Sequence, residues 1–217
     1  MKVGLKVMTP DAEQNIVEIA RVSSSRQDKS QAPEGLINYL IQNKHWSPFE
    51  HGSMTFEIET SKAIGIQLIR HRSFTFQEFS QRYAVVTDIE PIELRKQATN
   101  NRQSSTEVFN PLINNLLFIV QKPASEVIDT YNRLGEILYK DLLNAGVARE
   151  CARMVLPMAT STTIFMTGTI RSWIHFLQIR DDEHAQKEIR LIAKDIKEII
   201  VKELPIISNA LGWTCER

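Results

Sequence analysis

The sequence has few cysteines and no excess of charge of either sign. Cys151 and Cys215 are its two cysteines, and no CxxC pair occurs, so neither a disulfide framework nor a thiolate zinc site is expected. Lys and Arg together number 26, as do Asp and Glu together, so the formal net charge is zero. Long-range attraction to nucleic acid or to an anionic membrane is therefore not supported, and any anion must be bound locally.

Long apolar runs, linkers and repeats are also missing. No apolar stretch reaches the roughly 20 residues that a helix needs to cross a bilayer, and the opening residues, MKVGLKVMTPDAEQ, lack the apolar core of a signal peptide. No internal repeat or Gly/Ser linker interrupts the 217 residues, a length that allows one α/β domain to bury roughly 70% of its unfolded surface. We therefore expect a single domain, 1–217, in the cytoplasm, or in the host cytoplasm if the chain is virus-encoded.

Hydrophobic periodicity predicts the secondary structure. Strands are predicted at 2–8, 54–59, 81–87 and 158–168. Helices are predicted to begin at Thr9-Pro10-Asp11, near Pro33 and at Ser61, and to span 124–144, 148–156, 170–179 and 184–204. The helix from Ser61 is predicted to place Gln67, Arg70 and His71 on one face. The helix at 124–144 is marked by an apolar stripe of Val127, Tyr131, Leu134, Leu138 and Leu142. A loop is predicted at 72–80 and a polar surface excursion at 87–105. We expect an α/β (α+β) fold with a small, mainly antiparallel sheet flanked by helices.

The segment from Arg70 to Tyr83, RHRSFTFQEFSQRY, is the most informative part of the chain. Three adjacent basic residues are followed, after a spacer of seven residues, by Ser80 and then Arg82. A guanidinium offers a planar fork of donors that matches a phosphate or a carboxylate, so the segment indicates an anion site. In the alternative interpretation, Arg70 and Arg72 are solvated charges at a helix C-terminus, where the helix dipole favours cations.

The spacing RHR, seven residues, Ser resembles the signature of the flavin-dependent thymidylate synthases. Members of that family methylate dUMP at C5 with 5,10-methylenetetrahydrofolate, FAD and NADPH. The resemblance implies FAD contacts by Arg70, His71, Arg72 and Gln77. It implies dUMP contacts by Gln67, Glu78, Ser80, Gln81 (through its backbone) and Arg82. Gln77 and Thr75 stand where the family commonly has Asn and Ser.

The segment from His45 to His51, HWSPFEH, looks like the family's H-x-[ST]-P-F-E-H block. This resemblance implies FAD contacts by His45, Ser47 and Glu50, and Ser23 resembles a further one. From the residues alone, a turn with one buried histidine is the alternative. No HExxH or His/carboxylate triad supports a metal site, and we expect none.

Two later segments complete the pattern. ECARMVLP at 150–157 has the family's E-x-x-R-x-x-L-P spacing, which implies a dUMP contact by Arg153. The alternative is a surface ion pair between Glu150 and Arg153, three apart on a helix. Cys151 is turned about 100° from Glu150 on such a helix, and we interpret it as a packing residue rather than a nucleophile.

The last segment, RSWIHFLQIRDDEHAQKEIR at 171–190, resembles the family's R-x-x-x-[NH]-F-x-x-x-R…HAQ-x-EIR region. It implies FAD contacts by Arg171, His175 and His184 and a uracil contact by Arg180. Many relatives carry Asn two residues before the first Arg, where this chain has Thr169, so no contact is assigned there. Taken alone, 187–202 is simply an amphipathic helix.

Four blocks in the family's order predict a flavin-dependent thymidylate synthase that converts dUMP to dTMP. Arg180 is the predicted catalytic residue, because a cation at the carbonyl edge of uracil favours negative charge on the ring in the transition state. Ser80 is interpreted as a binding residue, since no adjacent general base is evident. The resemblance also implies a homotetramer whose active sites draw on several subunits, while no motif marks the NADPH site.

Two other classes of function stay open on the residues. The first alternative is a flavin-dependent reductase, or a nucleotide-binding regulator, that retains the pocket without methyl transfer. The second, an RNA-binding module, is disfavoured by the zero net charge and by the lack of an RNP or KH pattern.

Overall fold

The computed structural model describes residues 1–23, 32–86, 88–101, 104–115 and 120–214. Its Cα positions divide the chain into two compact units. Unit 1 consists of Met1, Glu59–Ile66 and Glu78–Thr163, and unit 2 consists of Lys2–Ile58, Gln67–Gln77 and Ile164–Arg217. The expectation of a single domain remains a prediction, and the two units are described separately below.

The described strands form one larger sheet and two hairpins. In chain order they are β1 (Lys2–Met8), β2 (Ser53–Ser61), β3 (Phe74–Glu78), β4 (Arg95–Gln97), β5 (Ser105–Val108), β6 (Leu112–Asn115), β7 (Val120–Pro123) and β8 (Ser161–Thr169). The larger sheet has the order β1-β2-β8-β3, and the pairs β4-β5 and β6-β7 are antiparallel.

The described helices are α1 (Ala12–Ala20), α2 (Pro33–Gln42), α3 (Lys62–Leu68), α4 (Ala124–Asn144), α5 (Arg149–Ala152), α6 (Ile170–Arg180), α7 (Lys187–Glu203) and α8 (Pro205–Ala210). Short 3₁₀ helices occupy Arg21–Ser23, Ser47–Glu50 and Arg153–Val155. The predicted class, a small sheet flanked by helices, is confirmed. Among the described residues, no helix combines the length and the apolar character needed to cross a membrane.

The predicted helix at 124–144 is confirmed, and the strand at 2–8 and the helix start at Pro33 are confirmed as well. The predicted loop at 72–80 is wrong, because Phe74–Glu78 is strand β3, in which Phe74 is buried and Thr75 exposed. The predicted strand at 81–87 is wrong in its described part. The backbone N–H groups of Tyr83 and Ala84 both donate to the Ser80 carbonyl, which closes a turn.

Two helix predictions need correction. Thr9 does not cap α1, since its hydroxyl accepts from the backbone N–H of Ser53 at 3.0 Å. The helix instead begins after Asp11, whose φ of 48° is left-handed. The predicted helix at 148–156 is interrupted, because α5 ends at Ala152 and a 3₁₀ turn continues to Val155. The hairpins and α8 were not predicted.

The core of unit 2 surrounds Trp173 of α6, which is fully buried. Its ring packs edge-on against Phe56 of β2 and Phe74 of β3, with centroids 4.8 and 4.6 Å apart, and its Nε1–H donates to the Met54 carbonyl at 3.1 Å. Gly168 of β8 permits the close approach of Phe74, because a Cβ at 168 would lie 2.4 Å from that ring. This packing fixes the start of β3 relative to α6.

The longest helix of unit 1, α4, exposes much of its predicted apolar stripe. Tyr131, Leu134 and Leu138 are 62%, 49% and 48% exposed, and Ile137 beside them is 48% exposed. The buried residues of α4 are instead Ala124, Asn132 and Tyr139. The stripe therefore forms an apolar surface on this chain, hereafter the α4 surface.

Candidate functional site

The basic triplet of residues 70–72 lies in the turn between α3 and β3, in unit 2. Because α3 ends at Leu68, the prediction that Gln67, Arg70 and His71 share one helix face is wrong. The backbone N–H of His71 donates to the Leu68 carbonyl at 3.1 Å and closes the turn. Arg70 and Arg72 are exposed, whereas His71 is half-buried.

His71 accepts a hydrogen bond from Arg180, the last residue of α6. The Nε–H of Arg180 lies 2.9 Å from Nε2 of His71, although 109 residues separate the two in sequence. The imidazole packs edge-on against Phe176 and Phe74, with centroids 4.9 and 6.2 Å away. Since Nε2 is the acceptor, the neutral ring carries its hydrogen on Nδ1. Desolvation lowers the pKa of Arg180 from its ordinary value.

The same surroundings keep His71 neutral. Burial, followed by the charges of Arg180 and His175, lowers the pKa of His71 from 6.5 to about 4. On acidification, the unfolded chain protonates His71 near pH 6.5, while the folded chain resists until about pH 4. The His71 contribution to stability therefore falls as the pH drops through this window.

We expect this linkage to appear as an acid sensitivity that His71→Gln removes. Melting temperatures measured from pH 7 to pH 4 should fall more steeply for the wild type than for the variant. The carboxyl groups whose pKa burial raises, Glu13 and Asp195, are present in both proteins, so their contributions cancel in the comparison. Parallel curves would contradict the low pKa of His71.

A second cluster in unit 2 joins the segment 45–51 to the start of α6. One carboxylate oxygen of Glu50 accepts from Arg171 Nη1 at 2.7 Å, and the other accepts from the Thr169 hydroxyl at 2.9 Å. That hydroxyl also caps α6, because it accepts from the backbone N–H of Ser172 at 3.2 Å. Thr169, which received no role from the sequence, therefore connects Glu50 to the helix that carries Arg171.

An open cleft of about 400 Å³ lies over this cluster. Its lining residues are Trp46, Glu50, Ser73, Thr169, Arg171, Ser172, Ile174, His175 and Gln178. Three of the predicted FAD contacts, Glu50, Arg171 and His175, thus line one cleft. Trp46 and Gln178 were not assigned from the sequence. Position 178 could have been identified because it lies one helical turn after His175.

Among the described side chains, the remaining predicted FAD contacts of unit 2 do not line this cleft. His45 and Ser47 are exposed, and the His45 ring packs against Tyr39 with centroids 5.8 Å apart. Gln77 is exposed on β3. His184 has a side chain that is 73% exposed, and its Nδ1 lies 2.8 Å from a carboxylate oxygen of Asp182. Ser23 ends a 3₁₀ turn, and its side chain lies outside the described part of the structure.

Gln67, a predicted dUMP contact, is linked to α7. Its Nε2 donates to Oε1 of Gln186 at 2.6 Å, and Gln186 is the residue that precedes α7. Gln186 in turn donates to Glu188 at 2.8 Å. The HAQ segment is therefore joined to α3 through an amide pair.

The other predicted dUMP contacts lie in unit 1. One oxygen of Glu78 accepts from both Lys62 Nζ at 2.8 Å and the Thr162 hydroxyl at 2.9 Å, so two residues without an assigned role hold this carboxylate. Gln81 is 6% exposed, and its Nε2 has no hydrogen-bond partner among the described residues. Ser80 is half-buried in the turn that follows β3.

Arg82 and Arg153 are arranged around Glu150, also in unit 1. The Glu150 carboxylate lies 3.9 Å from Arg82 Nε, whereas Arg153 Nε donates to the Glu150 backbone carbonyl at 3.4 Å. The ion pair that helical spacing suggested between Glu150 and Arg153 is therefore replaced by this backbone contact. The interpretation of Cys151 as a packing residue is wrong, because it is exposed and Ala152 is the buried residue of α5.

No group of three His, Cys, Asp or Glu side chains suited to a metal ion occurs among the residues that the structure describes. Guanidinium, imidazole and amide groups dominate both sets of predicted contacts. Such donors fit phosphate and carbonyl oxygens.

Comparison with known proteins gives consistent matches over nearly the whole chain. The sequence model of the family described as "Thymidylate synthase complementing protein" matches residues 5–206. The chain is 44% identical over 204 residues to a probable flavin-dependent thymidylate synthase of Paramecium bursaria Chlorella virus 1, which covers 93% of this chain and 91% of that protein. It is 40% identical over 198 residues to a flavin-dependent thymidylate synthase of Synechocystis sp., with 91% and 88% covered.

A solved structure is similar as well. The crystal structure of a UMP/dUMP methylase, PolB, from Streptomyces cacaoi, bound with 5-Br dUMP, has a TM-score of 0.76 and 28% sequence identity. The likeness covers 97% of this chain and 94% of that chain.

Proposed function

Because the chain belongs to the thymidylate synthase complementing protein family, we propose that it is a flavin-dependent thymidylate synthase. It converts dUMP to dTMP by reductive methylation at C5, with 5,10-methylenetetrahydrofolate as the carbon donor and NADPH as the reductant of FAD. The observation that carries the chemistry is the half-buried guanidinium of Arg180, whose Nε–H is bonded to a neutral imidazole.

Arg180 is the catalytic residue of this proposal. Uracil C5 is a poor nucleophile, so methylation requires negative charge to build on the ring. A partly desolvated guanidinium at the carbonyl edge of uracil stabilises that charge more strongly than a fully hydrated cation would. Burial of Arg180 among protein atoms, which lowers its pKa, meets this requirement.

The nucleotide is bound by Gln67, Glu78, Ser80, Gln81, Arg82 and Arg153. Arg82 and Arg153 hold its anionic groups, since guanidinium forks bind phosphate in a bidentate way. The Glu78 carboxylate is fixed by Lys62 and Thr162 through one oxygen. This leaves the second oxygen available to a nucleotide hydroxyl or amide.

The hydrogen-bond donors of unit 2 suit the anionic and carbonyl groups of FAD. The cleft of about 400 Å³ combines a guanidinium, an imidazole and amide and hydroxyl groups with the apolar side chains of Trp46 and Ile174. The predicted set consists of Ser23, His45, Ser47, Glu50, Arg70, His71, Arg72, Gln77, Arg171, His175 and His184. When bound and reduced, FAD supplies the hydride. In this cleft Arg171, held by Glu50, orients the cofactor's anionic groups.

The active enzyme is a homotetramer in the cytoplasm, with active sites that draw on several subunits. The α4 surface supports this assembly, because four neighbouring apolar side chains on one helix are exposed in the single chain. Contiguous apolar patches of this kind mark protein–protein interfaces.

Leu138→Asp tests the assembly. A charge placed in an apolar interface is desolvated without a partner, so the variant should dissociate into smaller species and lose most of its activity. Light scattering of the wild type and the variant gives the mass, and Asp129→Ala, on the opposite face of α4, serves as the matched control. A wild type that is monomeric and active would remove the tetramer from the proposal.

The deciding experiment is tritium release from C5-labelled dUMP with purified protein, FAD, NADPH and 5,10-methylenetetrahydrofolate. Release that requires every component supports the proposed reaction. A protein that binds FAD and oxidises NADPH without releasing tritium would be a reductase or a regulator instead. Labelled UMP forms a parallel arm, because the similar structure is that of a methylase that acts on UMP and dUMP. Release from UMP alone would overturn dUMP as the substrate.

A further inference from the structure

We propose that His71 is a positioning residue that orients Arg180 for uracil without cancelling its charge. This inference rests on the proposed function, in which Arg180 contacts the substrate ring. It adds to the role that resemblance gives His71, a direct contact with FAD, for which the second ring nitrogen, Nδ1, remains. The supporting observation is the hydrogen bond from Arg180 Nε–H to His71 Nε2, 2.9 Å long and formed within unit 2.

The bond fixes the guanidinium in a defined way. Nε is the inner nitrogen of the arginine fork, so its bond to His71 leaves the four N–H groups on the two terminal nitrogens for a ligand. The position of Arg180 at the end of α6 supports the orientation, because cations are favoured at a helix C-terminus.

The chemical character of the acceptor matters as much as its position. A carboxylate is the usual partner of a half-buried arginine, but it would neutralise the guanidinium that the reaction requires. A neutral imidazole accepts the same hydrogen bond and contributes no negative charge. His71 therefore permits both a fixed geometry and a full positive charge.

The surroundings of His71 hold the ring in place and limit the number of ligands that its ring nitrogens can bind. Phe176 and Phe74 contact it edge-on, and its own backbone N–H is bonded to Leu68. With Nε2 bonded to Arg180, Nδ1 is the one ring nitrogen left for another ligand. A histidine in this arrangement has Arg180 as the hydrogen-bond partner of its Nε2 atom.

Three substitutions at His71 separate the possible roles. Glutamine can present a neutral carbonyl oxygen near the place of Nε2, phenylalanine keeps a packed ring without an acceptor, and glutamate supplies an acceptor with a charge. We expect His71→Gln to retain most of kcat. His71→Phe and His71→Glu should each lose about 10²-fold, through misplacement of Arg180 in the first case and charge cancellation in the second. KM for dUMP should change less than kcat in the phenylalanine variant.

The controls distinguish this role from flavin binding and from a general loss of fold. Because His71 also belongs to the proposed FAD set, kcat is compared at saturating FAD. Bound FAD is measured by its absorbance, so that each rate is expressed per flavin-loaded site. His51→Phe, an exposed histidine without an assigned role, should behave as the wild type. Adding His71→Phe to Arg180→Ala should cause no further loss, because the two residues act as one unit. Glutamine as harmful as phenylalanine, at equal FAD occupancy, would overturn the proposal.

A spectroscopic measurement keeps the test independent of turnover. In the ¹⁵N–¹H spectrum, the Arg180 Nε–H signal, identified by its absence in Arg180→Ala, should be protected from exchange in the wild type and in His71→Gln. It should exchange freely in His71→Phe. If the wild type releases no tritium from dUMP, the proposed function fails while this signal still decides whether His71 holds Arg180. If protection is the same in all three proteins, the inference fails whatever the activity.

Discussion

Arg180→Ala should retain FAD and lose dUMP methylation by at least about 10²–10³-fold in kcat. Removal of a single preorganised group that stabilises developing charge costs this much in other enzymes. The guanidinium is half-buried and bonded to His71, so water entering the vacated space would not reproduce a fixed cation. The predicted FAD contacts of the cleft, Glu50, Arg171 and His175, are untouched by the substitution.

Two measurements on the same sample of the purified variant test this prediction. Tritium release from dUMP measures methylation, and the yellow absorbance measures bound FAD. Arg180→Lys should remain strongly impaired, because an ammonium lacks the planar fork with which a guanidinium bonds His71 and a ligand at the same time. Arg149→Ala, which removes an exposed guanidinium on α5, is the matched control. Turnover at the wild-type rate by Arg180→Ala would remove Arg180 from the chemistry.

Trp173→Ala should cause the largest loss of stability among single substitutions in unit 2. The side chain is fully buried, packs against Phe56, Phe74 and Phe176, and donates to the Met54 carbonyl. Truncation of a buried Trp to Ala typically costs about 3–5 kcal/mol, because contacts are lost and a cavity remains. For a chain of this size the cost corresponds to a fall in Tm of roughly 6–20 °C.

The same substitution should also disturb His71, since Phe74 and Phe176 contact both rings. We therefore expect kcat to fall at temperatures where Trp173→Ala is still folded. Thermal unfolding followed by circular dichroism measures the stability. Trp173→Phe, which keeps an aromatic ring but loses the N–H donor, should cost less than the alanine variant. A melting temperature within 2 °C of the wild type for Trp173→Ala would contradict the central position of this residue.

Much of the fold could be predicted because its signals are local. The helix at 124–144 was predicted with its observed bounds, since its apolar spacing continues along most of the helix and Gly146, with a φ of 83°, follows its end. That periodicity could not reveal what covers the helix. Its stripe forms the exposed α4 surface, because spacing reports which residues share a face and not what lies against it.

The segment from 70 to 83 shows where local signals mislead. A loop was predicted at 72–80, although FTFQE alternates with the period of a strand. The strand forms because Phe74 packs on Trp173 and against Gly168, residues almost a hundred positions away. Such contacts are decided by tertiary packing, which overrides local propensity.

The site was predicted as four blocks in sequence, and the family to which they pointed is confirmed by the match over residues 5–206. The connections between blocks were not predictable. Nothing in the sequence pairs His71 with Arg180, or Glu50 with Thr169, because each pair joins segments more than 100 residues apart. The individual ligand contacts remain predictions, which the substitutions described above test.

Thr169 illustrates how such a connection restricts later change in the chain. Its hydroxyl must accept from the Ser172 backbone to start α6 and, at the same time, donate to the Glu50 carboxylate. Ser and Asn combine both abilities, and both are favoured helix caps. Aspartate is an equally good cap, but it has no hydrogen to donate and would face Glu50 with a like charge. The position therefore tolerates exchange between hydroxyl and amide side chains and excludes the acid. A threonine can therefore do at this position what an asparagine would do.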